Sequence, residues 1–305
     1  LSVVDAHHHL WSLEEVPHDW LSRPPDGPSM LGDFAAIRRT YDVDDYRADM
    51  VDVELLASVH VESAADDPLE ETRWLARRIA ETACPTVLVV GCRLEQPNAR
   101  DVLREHLALS ERVRGVRQML NWHELPHLRS APRGDLLTDP EWRRGLSVLA
   151  ELGLSFDLQV FPHQLSDAAA VARAFSEVGF VLNHGGTLST GTPDDRKQRL
   201  EGLKRLSDEP NVAVKISGFG INNELRSADA LLEWFMTLVE LFGAERAMLG
   251  SDYPVDKLHS EANPLIGLLE LSEELSPADA FQLQIATAAR VYRLDDVAND
   301  WRQTA

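Results

Sequence analysis

Leu55-Leu56-Ala57-Ser58-Val59-His60-Val61 is one of eight short apolar, β-branched runs along the chain, and each is followed by a longer stretch with helical periodicity. No other feature constrains the fold as much, because strands separated by helices pair in parallel, with the helices covering the sheet. The candidate strands are Val3–His7, Val53–Val61, Thr86–Arg93, Val113–Leu120, Leu154–Val160, Phe180–Asn183, Val212–Ile216 and Ala247–Gly250. Most are continuous rather than alternating in polarity, the pattern of strands buried on both faces. The helices between them have readable starts. Pro68–Thr82 opens on proline and acids and spaces Leu69, Trp74, Leu75 and Ile79 helically. Asp139-Pro140-Glu141 supplies an N-cap, a first-turn proline and a first-turn acid. Asp229–Leu241 carries Leu231, Leu232, Phe235, Leu238 and Val239 on one stripe. Eight strand–helix units suit a closed α/β barrel, the (β/α)8 TIM barrel, better than an open sheet. With no repeat, low-complexity tract or dividing linker, residues 1–305 are expected to form a single barrel domain.

Charge narrows the choice of partner. Fifty acidic residues against 30 basic ones give a formal charge of −20, which repels nucleic acid and anionic membrane surfaces. A small-molecule substrate is the expected partner, with no nucleic acid and no membrane. No apolar run approaches the roughly 20 residues of a membrane helix. The strand-like Ser2–Asp5 leaves no room for a cleavable signal, so a soluble cytoplasmic protein is expected. Cys84 and Cys92 alone make neither a disulfide scaffold nor a cysteine metal site. Acidic barrels of this size often pair, which leaves room for a homo-oligomer, but no residue pattern names an interface.

Polar residues stand at the ends of the candidate strands, where a barrel of this type keeps its chemistry. They include His7 and His9, then His60, Arg117, Gln159, His184, Lys215 and Asp252. Side chains alternate along a strand, so Asp5, His7 and His9 are expected on one face and His8 on the other. Two imidazoles two residues apart on an inward face can grip one metal ion; a packed pair is the plainer alternative. Asp252, in Leu249-Gly250-Ser251-Asp252-Tyr253-Pro254, can take a proton from an attacking water or touch a metal, unless it is a turn aspartate. His184, followed by Gly185 and Gly186, can polarise a carbonyl or bind metal. Arg117 could hold a substrate carboxylate with its two-pronged guanidinium, or pair with an acid on a neighbouring strand. Lys215, the strand lysine in a chain with four lysines, either binds substrate or balances Asp252. His60 and Gln159 read as pocket walls. His18, His106, His123, His127 and His259 read as solvated or loop residues. The long connections Leu10–Tyr41 and Trp122–Thr138 follow strands and are candidate substrate walls.

Six segments carry a further likeness in order: Val4-Asp5-Ala6-His7-His8-His9-Leu10-Trp11, Arg114-Gly115-Val116-Arg117-Gln118, Phe156-Asp157-Leu158-Gln159, Val181-Leu182-Asn183-His184-Gly185-Gly186, Lys215-Ile216-Ser217-Gly218 and Leu249 to Pro254. Together they resemble the amidohydrolase-2 branch of the amidohydrolase superfamily. Within it they are most similar to the sugar-acid and dicarboxylate lactonases, such as rhamnonolactonase, fuconolactonase and pyrone-dicarboxylate lactonase. The resemblance implies a distorted barrel that hydrolyses a lactone, with Asp252 and His184 catalytic. It implies His7, His9, His184 and Asp252 as the metal-facing set. Binuclear members use a carbamylated lysine or a glutamate on strand 4; this strand has neither, and strand 5 has no histidine within it, His163 lying beyond Val160. At most one divalent ion, zinc, is therefore implied, and metal-independent lactonases occur in the branch. Arg117, with His60 and Trp11, would orient substrate hydroxyls or a carboxylate. A metal-dependent decarboxylase of the same branch is the nearest rival, and a non-catalytic sugar-acid-binding barrel the other.

Overall fold

In the computed structural model, residues 1–24, 27–218, 220, 227–259 and 263–294 are described. The eight expected strands are all present, each within two residues of its expected ends: β1 Ser2–His8, β2 Glu54–Val61, β3 Val87–Gly91, β4 Val113–Met119, β5 Ser155–Gln159, β6 Phe180–Leu182, β7 Val212–Ile216 and β8 Ala247–Leu249. They lie in chain order, every neighbouring pair parallel. The ring closes where β1 and β8 end rather than through a full ladder: Asp252 N donates to His7 O (2.8 Å) and His9 N to Tyr253 O (2.7 Å). The fold is thus a (β/α)8 barrel, and its closure joins the first-strand histidines to the segment holding Asp252.

Helix ends follow the local chemistry. The helix Pro68–Thr82 begins behind Asp67, whose carboxylate accepts from Leu69 N. Asp139 caps Pro140–Leu152 by accepting from Glu141 N and Trp142 N. The helix Ala228–Phe242 buries Trp234, Phe235 and Leu238, but Leu232 is exposed, so the apolar stripe is narrower than its sequence suggests. Among the described residues no helix is long and apolar enough to cross a membrane.

Two apolar layers result. Outward side chains such as Leu88, Val116, Phe156, Leu182 and Val214 pack with the helices, while Val4, Ala6, Val59, Val89, Val181, Ala213 and Met248 fill the barrel. The inner layer also contains Ile285, Ala288, Ala289, Tyr292 and Leu294. Small interior residues leave a space that the chain's last described turns plug, and the helix Thr287–Val291 carries that plug.

Histidine burial departs from the sequence reading. His106 is buried, Nδ1 2.8 Å from Thr72 Oγ1 and Nε2 donating to Gly91 O at 3.1 Å. His18 is also buried, bonded to Val16 O and Ser63 Oγ. Side-chain and carbonyl partners replace water at both, which a polar neighbourhood in sequence does not disclose. Burial pushes His106 down from 6.5 to about 4. As pH falls through that window the unfolded chain takes up a proton that the folded chain refuses, so stability is lost with acid, on the order of 3 kcal/mol. In His106→Gln, urea midpoints between pH 6.5 and pH 4 are expected to fall less than in the parent protein; an equal fall would assign the acid sensitivity elsewhere.

Candidate active site

The first strand does not keep simple alternation. Val4 and Ala6 point inward, and Asp5 points out, where it accepts from Tyr46 Oη (2.8 Å) and Ser251 Oγ (2.6 Å). Pairing with β2 then shifts: Asp5 is opposite Ser58 and His8 opposite His60, three steps against two. This bulge turns His7 inward beside His9 and leaves His8 outside, stacked on Tyr46 at 4.0 Å. The expectation that Asp5 shares the histidines' face is therefore corrected. Asp5 instead accepts from His7 N and Ser251 N, fastening the β8 end to β1 beside Asp252.

His7, His9, His184 and Asp252 converge at the strand ends, all buried. Asp252 Oδ1 lies 3.5 Å from His7 Nε2, 3.5 Å from His9 Nε2 and 3.8 Å from His184 Nε2. The two strand-1 Nε2 atoms are 3.3 Å apart. His9 Nδ1 donates to Val61 O at 2.7 Å, leaving Nε2 with its lone pair toward the centre. His184 Nδ1 meets Ser217 Oγ at 3.0 Å. Both His184 (φ 57°) and Asp252 (φ 54°) hold left-handed backbone, strain of a kind found at functional positions. Burial pushes His184 down to about 4 and His7 well below its usual value, the latter also under the charge of Lys215. Burial by itself would raise Asp252, but His184, His9 and Arg117 outweigh it and hold the carboxyl below the ordinary range. Around neutral pH the centre thus holds an ionised Asp252 beside the uncharged rings of His7 and His184.

Above it opens a cavity of about 680 Å³, which His9, His184, Asp252, Arg117, Gln159 and Trp11 help to line. Both long connections supply walls: Trp20, Leu31 and Phe34 from the first, Pro126, His127 and Arg129 from the second. Trp11 is held by Nε1 donating to Arg39 O. Arg117 donates through Nε to Glu62 Oε1 (2.6 Å), through Nη2 to Glu62 O and through Nη1 to Gln159 Oε1 (3.0 Å). Its acid partner is Glu62, just past β2, a residue not singled out as that partner by the sequence.

Two expectations are corrected. His60 does not wall the cavity; it lies behind His9, accepting from Leu10 N and 3.5 Å from Glu71. Lys215 neither lines the cavity nor balances Asp252, because Asp157 takes its ammonium at 2.6 Å inside the barrel. Inward positions on β5 and β7 face each other there, a pairing only ring closure creates. His163 is exposed and outside the site, so β5 adds no histidine.

Residues 4–294 match the family model described as Amidohydrolase, of the amidohydrolase-2 type. The chain belongs to the amidohydrolase family. An uncharacterized Sinorhizobium fredii protein is 35% identical over 85% of this chain and 87% of its own length. L-fucono-1,5-lactonase of Burkholderia multivorans is 26% identical over 97% of each. Among solved structures, a zinc-bound Burkholderia multivorans amidohydrolase superposes with a TM-score of 0.78 at 24% identity, covering 96% of this chain and 99% of that one. A putative 2-pyrone-4,6-dicarboxylic acid hydrolase from Pseudomonas putida gives 0.69 at 22%, covering 97% and 98%. The structural likenesses establish the shared barrel.

Whether this amidohydrolase's donors suit a divalent ion can be tested on their spacing. Tetrahedral donors at about 2.0–2.1 Å from an ion lie about 3.4 Å apart, and the His7–His9–Asp252 edges of 3.3, 3.5 and 3.5 Å match. Asp252 Oδ2 is buried without a hydrogen-bond partner, as a carboxylate awaiting a ligand would be. These three form the compact donor group among the described residues, with His184 at its edge. By spacing, one ion fits.

Gly218 (φ +63°) gives the amidohydrolase's His184 its room, since a Cβ there would overlap the ring at Nδ1 and Cγ. Gly218→Ala is expected to cost about 1–2 kcal/mol in backbone strain and about 10²-fold in kcat through displacement of the imidazole. Turnover and Tm measured on the same preparation check both; an unchanged kcat would show that the ring needs no such place.

Proposed function

We propose that this amidohydrolase opens a small-molecule lactone, a sugar-acid or carboxylated one, by water attack on the ring carbonyl. The observation that carries the reading is Asp252: a buried carboxylate held ionised, with Oδ2 unpartnered, among three imidazoles at a cavity's edge. Asp252 accepts a proton from water as it attacks. His184, with Ser217 donating to its Nδ1, presents an Nε2–H that stabilises the oxyanion. Collapse breaks the ring C–O bond, and Asp252 returns the proton to the leaving alkoxide, giving the hydroxy acid. Arg117, Gln159 and Trp11 orient the ring's substituents from the wall. A divalent ion, when bound by His7, His9 and Asp252, would polarise the carbonyl and acidify water.

The B. multivorans L-fucono-1,5-lactonase supports the lactone class. A decarboxylase is the rival, since 5-carboxyvanillate decarboxylase from Sphingomonas paucimobilis shares the barrel at a TM-score of 0.62. A pH-indicator screen against sugar-acid and dicarboxylate lactones, with metal content measured on the same protein, decides between them. Acid release on lactone opening is expected. Carbon dioxide release from an aromatic acid would overturn the proposal, as would ligand-induced stabilisation without turnover.

A further inference from the structure

Directly beneath the site lies a charge pair sealed from water. Lys215 and Asp157 are both fully buried, Nζ 2.6 Å from Oδ2. Tyr292, on the plug, donates its hydroxyl to Asp157 at 3.0 and 3.1 Å to the two oxygens, and its ring lies 5.2 Å from Nζ. The ammonium also approaches His7, whose Nδ1 is 3.4 Å away. Withdrawing two charges this far from water is costly even when they pair, so the pair's effect on His7 merits an explanation.

An ammonium has donors and no acceptor. A proton on His7 Nδ1 would therefore face a positive group with nothing to accept it. On Nε2 the same proton faces Asp252 Oδ1 at 3.5 Å and the bare Nε2 of His9 at 3.3 Å. His9 is set the other way, its Nδ1–H fixed by the Val61 carbonyl. The neighbours of the two histidines thus favour opposite tautomers, with no proton gained or lost.

We infer that Lys215, braced by Asp157 and Tyr292, holds His7 in the Nε2–H tautomer and makes a divalent ion a weak, displaceable guest at the His7–His9–Asp252 donors. Spacing suits an ion, but binding through Nε2 requires His7 to carry its proton on Nδ1 instead, against the ammonium. Without an ion, the same Nε2–H reaches toward Asp252 and positions its carboxylate. Lys215 is a positioning residue. The inference rests on the reading of this cluster as the active centre.

Two measurements test it, and neither uses a lactone, so they remain interpretable if the lactonase reading fails. In metal-free parent protein labelled with 15N-histidine, NMR distinguishes protonated from bare ring nitrogens, and His7→Asn assigns the His7 signals. A protonated Nε2 and bare Nδ1 on His7 are expected; a protonated Nδ1 overturns the inference. Zinc affinity is then compared by chelator competition between the parent and Asp157→Asn/Lys215→Met, which removes both charges and leaves neither orphaned. The double variant is expected to bind zinc at least tenfold more tightly, and equal or weaker binding overturns the inference. If the double variant does not fold, the NMR result on the parent protein decides alone.

Discussion

Asp252→Asn is expected to lower kcat on the accepted lactone by about 10²–10⁴-fold, the range spanned by a positioned general base, with KM changed by only a few-fold. The amide has nearly the shape of the carboxylate but cannot accept and return the proton. Asparagine is also among the few residues that tolerate left-handed backbone, and residue 252 sits at φ 54°. The loop is therefore expected to persist, and unchanged Tm with collapsed turnover would be the signature. Alanine would be a poorer probe, because it adds strain to the chemical loss. Full activity in Asp252→Asn would end the scheme.

The second large effect is on stability. Arg117→Met is expected to cost about 3–5 kcal/mol, because it strands Glu62 buried without its cation. Arg117 and Glu62 are both nearly buried, and the guanidinium makes three hydrogen bonds. Removing both charges in Glu62→Gln/Arg117→Met is expected to recover most of the loss, which urea midpoints would show as strong non-additivity. Two losses that simply add would mean that the pair does not act as a unit. The lactone's KM in the double variant then reads the part of Arg117 that touches substrate, separated from its part in the fold.

The barrel was legible because its evidence is repeated. Each continuous apolar run declares a strand buried on both faces, and the helix after it declares a parallel neighbour. The ends were legible where a local signal exists, as at Asp67 and Asp139, whose side chains cap the next helix. His7, His9, His184 and Asp252 were legible as candidates for the same reason: each closes an apolar run, and strand ends share one face of such a barrel.

What those residues meet was a different matter. Strand alternation places Asp5 with His7 and His9, but the bulge between Asp5 and His8 turns His7 inward and leaves Asp5 on the outer face, bonded to Tyr46 and Ser251. Lys215 could as well have served substrate, Asp252 or Asp157, and only closure of the ring sets it against β5. Tyr292, 135 positions from Asp157, has no sequence signal for its contact. His60 ends a strand as Gln159 does, yet one lies behind the site and the other in its wall.

The sequence by itself determined the parallel barrel, the order of its strands and the four residues that gather at their ends, because periodicity and strand polarity are local properties. The tertiary structure decided which charges are neutralised, which partners each imidazole nitrogen meets and where the cavity opens. Those depend on Coulomb and hydrogen-bond partners brought within about 4 Å from distant strands, and no local pattern encodes such distances.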